Sequence, residues 1–328
     1  MNTKILKYTA LIVFSLLWLL GFSTHISKWL YEKGLIKDDY RYGDLYRFSN
    51  LPQFRVLKQP CISEKKEVSQ PNTALYLIGD SFTEEGRIEA QDFISGSFKR
   101  FFIGHQPYIK LDKTKKNVLI IETVERHFRE RFATPYKNLT FKEPSTKQNL
   151  DAKLKQLKSD FWYNTERHES VLFASDFFLT IKEWKAILND RLFDRTDGNV
   201  VVSKDKKNIF YELDARSNGI TSTFDKISDK EIALLVENVN RTYDFYKQNG
   251  FDEVYLTIAP NKSSILGKDL GEYNHLIERI QKNPSLHMPI FDIYTPFSTS
   301  RKMLYDVGDT HWNCEGKEIW INAVNQKL

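Results

Sequence analysis

The chain has 328 residues, of which 41% are hydrophobic and 28% charged, so it is a globular chain long enough to bury a full core. Either one large domain or one domain with an insertion fits this length. Its 48 basic and 43 acidic residues give a net charge of +5 that is spread along the chain, which argues against nucleic-acid binding. No C-x-x-C or H-E-x-x-H spacing occurs, so we expect neither a metal site nor another cofactor.

The N-terminal segment has the composition of a membrane anchor. Residues 8–27 contain no Asp, Glu, Lys or Arg, and 11–22 are almost continuously apolar. This length matches a bilayer, so we predict a transmembrane helix over 8–27, preceded by a cytoplasmic tail over 1–7. A cleaved signal peptide is the alternative, although no A-x-A-like site follows. Basic residues flank both ends, but a domain of this size can translocate regardless, so we place it outside the cytoplasm.

A mixed segment with three prolines, residues 28–71, follows and is interpreted as a stalk that leads to a domain over 72–328. The two cysteines of the chain are Cys61, in the stalk, and Cys314, near the C-terminus. Outside the cytoplasm they could form a disulfide that links the stalk to the helix after His311. Two unrelated buried thiols are the alternative, and the sequence leaves both open.

The domain begins with a short buried strand that ends at a serine. Residues 74–78 are all apolar or aromatic, Gly79-Asp80 interrupts the strand, and Ser81 stands at its carboxyl end, where open α/β sheets bind ligands. The hydroxyl of Ser81 is therefore a candidate nucleophile. Ser81 to Glu84 also fits the capping box S-x-x-E, so the alternative is that Ser81 only starts a helix.

The remaining elements alternate between apolar runs and segments with helical periodicity. We predict helices over about 229–249 and 273–281, and further strands over 97–103, 118–122, 200–202, 209–211, 254–258 and 290–294. This alternation favours an α/β domain with a doubly wound, mainly parallel sheet. A helical period without strands over about 145–194 indicates a helical insertion into that domain.

Near the C-terminus, Asp309-Thr310-His311-Trp312-Asn313 combines an acid, a histidine and a helix start. A serine hydroxyl needs a base within hydrogen-bond reach, and the base needs a carboxylate to hold its tautomer. His311 is therefore the candidate base and Asp309 the candidate acid, with Asp306 as a second possible acid. A surface Asp-His pair is the alternative. Asn313 is predicted to cap a closing helix.

Together, Gly79-Asp80-Ser81 and the terminal Asp309-Thr310-His311-Trp312 resemble the SGNH/GDSL hydrolase superfamily. The nearest branch is that of the SGNH domains related to alginate O-acetyltransferases, which carry a DTHW-type signature. The segments 118–126 and 258–262 are also similar to that branch, and the resemblance spans about 72–328 by motif order. Two features differ from the plain hydrolase pattern: the acid precedes the histidine by two residues, and no G-x-N-D segment occurs.

The resemblance implies a three-layer, flavodoxin-like fold and a serine-dependent O-acyltransferase with the triad Ser81, His311 and Asp309. It also suggests oxyanion or substrate-binding residues: Gly104, Arg126, Asn261, Lys262 and Trp312. The implied acceptor is a cell-surface or exported polysaccharide, and the acyl donor is supplied by a multi-pass membrane acyltransferase. The domain would lie in the periplasm, anchored in a bacterial inner membrane. An esterase with the same triad, or a non-catalytic glycan-binding assembly subunit, are the alternatives.

Overall fold

The computed structural model of the chain describes residues 3–20, 29–30, 32–35, 37–38, 40–62, 64–104, 106–141 and 175–328. The chain divides into two compact units. The first comprises residues 1–57 with 145–196, and the second comprises 58–144 with 197–328. The described strands and the candidate site both belong to the second unit.

The described strands, in chain order, are β1 (Gln70–Gly79), β2 (Ser95–Phe102), β3 (Lys116–Val124), β4 (Val200–Val202), β5 (Ile209–Tyr211), β6 (Glu253–Ala259) and β7 (Ile290–Phe291). Five of them form one sheet in the order β2-β1-β3-β6-β7, with every neighbouring pair parallel. Strands β4 and β5 pair antiparallel with each other in a separate sheet. The predicted α/β class with a mainly parallel sheet is therefore confirmed.

The described helices, in chain order, are α1 (Thr3–Leu20), α2 (Asp44–Ser49), α3 (Glu125–Arg131), α4 (Asp176–Phe193), α5 (Glu212–Ala215), α6 (Asp229–Gln248), α7 (Lys262–Leu266), α8 (Leu276–Gln281), α9 (Tyr294–Thr299) and α10 (Cys314–Asn325). Helix α6 matches the predicted helix over 229–249. Asn313 caps α10 as predicted, because its side chain accepts hydrogen bonds from the N–H groups of Glu315 and Gly316.

The main sheet is buried on both faces at its centre, where β1 is apolar over 74–79 and β3 is apolar over 118–121. Successive side chains of a strand point to opposite faces, so the even and odd residues of β1 enter different cores. Tyr76 and Ile78 belong to the core that contains Val236 and Val239 of α6. The second core receives its β1 side chains from Leu75 and Leu77, and its helical ones from α10, at Trp320, Ile321 and Val324. The result is a helix–sheet–helix arrangement.

Two predicted elements differ in the structure. The predicted strand over 290–294 forms only at Ile290–Phe291, after which the chain turns into α9 and buries Ile293 and Tyr294 there. No helix begins at Ser81: the residue lies in a turn, and its hydroxyl is used elsewhere. The capping-box interpretation of Ser81 is therefore wrong.

In the first unit, the buried carboxylate of Glu183 on α4 accepts hydrogen bonds from Tyr46 (2.7 Å) and Arg55 (3.3 Å). Within the described residues, no helix is both long enough and apolar enough to span a bilayer. Residues 21–28, part of the predicted 8–27 anchor, lie outside the described residues. So do residues 145–174, most of the predicted helical insertion.

Candidate active site

Ser81 lies at the topological switch point of the sheet, where the order of the strands reverses. Strand β1 has β2 on one side and β3 on the other, and such switch points open a crevice at the carboxyl ends of the strands. Gly79 is the last residue of β1, and a side chain does not fit at this position. A Cβ at this position would come within 1.9 Å of Thr83 Oγ1 and 3.0 Å of Glu122 Oε2. The glycine therefore lets the turn that carries Ser81 fold closely against β3.

The turn is held by the buried carboxylate of Asp80. One of its oxygens accepts the N–H of Phe82 (3.1 Å), and the other accepts the N–H of Val124 (3.0 Å) and an Arg131 guanidinium N–H (2.8 Å). Burial alone would raise the pKa of Asp80, but the Arg131 charge and these hydrogen bonds hold that pKa below its usual value. The ionised carboxylate of Asp80 thus binds the backbone of the residue after Ser81 and the backbone at the end of β3.

A second acid, Glu122, lies beneath the same turn and has the opposite character. Its Oε2 accepts the N–H of Asp80 (2.9 Å) and the hydroxyl of Thr83 (3.1 Å). Complete burial, together with the neighbouring Asp80 charge, raises the pKa of Glu122 well above its usual value. Glu122 therefore supports the turn through Oε2, and its burial beside Asp80 disfavours its charged form.

The structure brings Ser81, His311 and Asp309 together. Asp309 Oδ1 lies 2.5 Å from His311 Nδ1 and 3.0 Å from the His311 backbone nitrogen. Because a carboxylate can only accept, Nδ1 carries the imidazole proton and Nε2 is left as an acceptor. Ser81 Oγ lies 2.9 Å from that Nε2 and donates to it. The three side chains form a continuous hydrogen-bonded chain from acid to hydroxyl.

Asp309, rather than Asp306, is the carboxylate in contact with the imidazole. Burial disfavours its charged form, but His311 and then Lys58 and Arg87 hold the pKa of Asp309 well below its usual value. For Asp306, burial and the Asp309 charge raise the pKa to about 6. The negative charge of Asp309 is therefore favoured more strongly than that of Asp306, and Asp309 is the carboxylate placed against the histidine.

Lys262 is buried and points at the backbone of a neighbouring loop. Its side chain is only 1% exposed, and its ammonium group donates to the backbone carbonyls of Asp306 (2.9 Å), Val307 (2.8 Å) and Asp309 (3.1 Å). An ammonium has three N–H donors, and these three carbonyls match them in number. Lys262 instead holds the loop that presents Asp309 and His311, which corrects its assignment as a substrate-binding residue.

Trp312 is also inside the protein, with 3% of its surface exposed. Its ring packs edge-on against Phe82, with centroids 5.0 Å apart, and lies 6.1 Å from Trp320. The ring of Phe82 in turn lies 4.7 Å from the imidazole of His311. Trp312 therefore packs beneath the loop that carries His311, whereas the resemblance suggested an oxyanion or substrate-binding role for it.

Arg126 and Asn261 belong to a buried polar cluster where β3 and β6 end. The Arg126 guanidinium is paired with the buried Asp214 at 3.0 Å. Asn261 is fully buried; its side chain accepts the Arg126 N–H (3.2 Å) and donates to Thr223 (3.1 Å). Its own N–H donates to Glu125 (2.9 Å), whose pKa burial raises to about 7. Both predicted side-chain donors thus serve as cross-links between strand ends in this structure.

The remaining oxyanion candidates are backbone groups. Gly104 is exposed, has φ 93°, and follows the Gly79–Phe102 register pair by two residues, as Ser81 does on the neighbouring strand. Gly104 and Ser81 therefore both follow the carboxyl ends of neighbouring strands. Among the described residues, the N–H of Ser81 has no hydrogen-bond partner. Such an N–H on a candidate nucleophile suits an oxyanion donor.

Cys61 and Cys314 form a disulfide, with their Cα atoms 5.1 Å apart. The bond joins the segment before β1 to the first residue of α10, three residues after His311. Of the two possibilities that the sequence left open, the structure contains the disulfide.

Four residues lie in or beneath this site that are not among the candidates predicted from the sequence: Lys58, Asp80, Glu122 and Arg131. Asp80 could have been found from its place between Gly79 and Ser81, whereas the other three carry no local signal. The arrangement can remove a proton from Ser81 and return it to a leaving group. Comparisons of the chain with protein-family models, with curated proteins and with solved structures found no match.

Proposed function

We propose that the protein is an acyl-transfer enzyme that works through a serine ester. Ser81 attacks an acyl carbonyl, His311 takes the Ser81 proton and then gives it to the leaving group, and Asp309 orients the imidazole and stabilises its charged form. The backbone N–H of Ser81 stabilises the oxyanion of the tetrahedral intermediate. An acceptor hydroxyl then gives its proton to His311 and attacks the acyl-serine, and His311 returns that proton to Ser81 as the new ester leaves.

The observation that carries this proposal is the unbroken hydrogen-bond chain from Asp309 through His311 to Ser81, with distances of 2.5 Å and 2.9 Å. Asp309 and His311 lie two residues apart in the sequence, whereas Ser81 lies 230 residues before His311. Only the fold therefore brings the serine to its base. The hydroxyl of a helix-capping serine would accept a hydrogen bond from a backbone N–H. The hydroxyl of Ser81 is instead directed to a base that a carboxylate orients.

Replacing Ser81 by Ala is expected to abolish labelling by a serine-directed fluorophosphonate and to reduce hydrolysis of an activated acetate ester by several orders of magnitude. The reason is that no acyl-serine can form without the hydroxyl. Intact-protein mass spectrometry measures the label, and Ser264→Ala, which alters another buried serine on α7, is the control. Label that persists in Ser81→Ala would disprove this assignment, and a wild-type protein that neither labels nor turns over would favour the non-catalytic alternative.

For the acceptor, we propose a polysaccharide hydroxyl, in a membrane-anchored SGNH-type O-acetyltransferase of the periplasm. The resemblance of the GDS and DTHW segments supports the transferase branch, and the donor would come from a multi-pass membrane partner. The disulfide supports the placement outside the cytoplasm, because disulfides persist in oxidising compartments. A domain protected from protease in spheroplasts would contradict that placement.

Adding an exported polysaccharide to the purified protein and an activated acetyl donor is expected to increase donor turnover, with acetyl groups recovered on the glycan. A bound hydroxyl outcompetes water because well-aligned groups reach effective concentrations on the order of 10⁵ M. Mass spectrometry of the glycan measures transfer, and Ser81→Ala gives the background. Fast donor hydrolysis without any acetylated glycan would identify the enzyme as an esterase instead.

A further inference from the structure

The carboxylate of Asp309 has a partner on each of its oxygens. Oδ1 accepts from His311, while Oδ2 lies 2.9 Å from the ammonium nitrogen of Lys58. The side chain of Asp309 is 1% exposed and that of Lys58 is 22% exposed, so this ion pair is largely shielded from water. A pair of this kind fixes the direction of the carboxylate as well as its charge.

Lys58 reaches Asp309 from a segment without regular structure. The described residues between Arg55 and Val68 belong to no helix or strand. The disulfide anchors this segment, since Cys61 comes three residues after Lys58 and Cys314 comes five residues after Asp309. Three residues span at most about 11 Å, so the disulfide confines Lys58 to the neighbourhood of the catalytic loop.

We propose that Lys58 is a positioning residue for the catalytic triad and that the Cys61–Cys314 disulfide delivers it to Asp309. This inference rests on the proposed acyl-transfer function. Lys58 acts through Asp309, which it holds with Oδ1 directed at the imidazole, and it does not touch the reacting atoms. The disulfide, by tying the segment before β1 to the start of α10, makes this contact part of the folded site.

The other contacts of Asp309 show why Lys58 matters. His311 occupies Oδ1 through both its ring and its backbone N–H, and Arg87 contributes only at longer range. The neighbouring Asp306 opposes a negative charge on Asp309. Without Lys58, Oδ2 of a buried carboxylate loses its ammonium donor. The carboxylate is then free to rotate toward another donor, and the imidazole loses its fixed tautomer.

Replacing Lys58 by Met is expected to lower kcat for ester turnover on the order of 10- to 100-fold, the typical effect of a misplaced catalytic group, with KM nearly unchanged. Lys58→Arg should restore most of the rate, because it returns the cation. Lys66→Met is the matched control: Lys66 lies on the same segment and pairs with Glu318 of α10 at 3.0 Å, away from the triad.

A spectroscopic measurement makes the test independent of turnover. The proton between His311 Nδ1 and Asp309 should give a far-downfield NMR resonance in the wild-type protein, and Asp309→Asn assigns it. In Lys58→Met that resonance should broaden or vanish, while Lys66→Met keeps it. An unchanged resonance in Lys58→Met overturns the proposal, whatever the rates show. A protein without any turnover or labelling refutes the proposed function, but the resonance still decides the role of Lys58.

The role of the disulfide has its own test. The double variant Cys61→Ser/Cys314→Ser should show the same loss of kcat and of the resonance as Lys58→Met. Adding Lys58→Met to it should then cost little more, because two changes that break one contact are not additive. Near-UV circular dichroism confirms that each variant is folded. A disulfide-free protein with the wild-type rate and resonance overturns the delivery by the disulfide, and full additivity does the same.

Discussion

Replacing Asp309 by Asn is expected to lower kcat for ester turnover by about 10⁴-fold, the size known for the equivalent change in a serine protease triad. The amide of Asn can donate to His311 Nδ1, which places the imidazole proton on Nε2. In that tautomer Nε2 cannot accept a proton from the Ser81 hydroxyl, whose Oγ lies 2.9 Å away. Steady-state kinetics with an activated acetate ester measure the loss, and phosphonate labelling should slow in parallel.

Asp306→Asn is the matched control, since it changes a second carboxylate on the same loop. Asp306 carries no described side-chain bond to the imidazole, and its pKa is raised to about 6 because burial and Asp309 disfavour its charge. Its replacement should therefore leave kcat close to that of the wild type. If Asp306→Asn lost far more activity than Asp309→Asn, with both variants folded, the triad would have to be reassigned.

The central strands could be predicted from the sequence because their buried parts are runs of apolar residues. The apolar run 74–78 predicted β1, but the structure extends that strand back to Gln70. The additional residues form no apolar run, and the first three are exposed; Gln70 pairs with β2, and the buried Thr73 pairs with β3. At the other edge, β7 pairs with β6 over only two residues, so the apolar residues that follow it are buried by α9 instead.

The triad could be predicted because each member has a local signal, namely a strand end or a helix start. The supporting residues could not. A lysine is expected in water, so nothing in the sequence indicates that Lys262 is buried beneath a loop more than 40 residues downstream. Lys58 lies in a segment that was interpreted as a stalk. Only the pairing of Cys61 with Cys314 places Lys58 near the triad, and the sequence alone does not decide whether these cysteines pair.

Replacing Lys262 by Met is expected to lower the free energy of unfolding by about 3–5 kcal/mol, because the part-buried carbonyl of Val307 and the buried carbonyl of Asp309 lose their charged donor. The Met side chain retains most of the apolar packing of the lysine stem, so the loss comes mainly from the ammonium. Urea denaturation measures it. Lys302→Met is the control, since Lys302 is 72% exposed and its pair with Glu315 should contribute less than about 1 kcal/mol.

Activity should fall together with stability in Lys262→Met, even though Lys262 does not touch Ser81 or His311 in the described contacts. The same loop carries both the carbonyls that bind the ammonium and the carboxylate that orients the imidazole. Releasing the carbonyl of Asp309 therefore allows its side chain to shift, and a shift of about 1 Å in a catalytic group can cost 10²-fold in rate. Measuring kcat at a temperature where the variant remains folded separates the two effects. A wild-type rate in a destabilised variant would show that Lys262 supports the fold without positioning the triad.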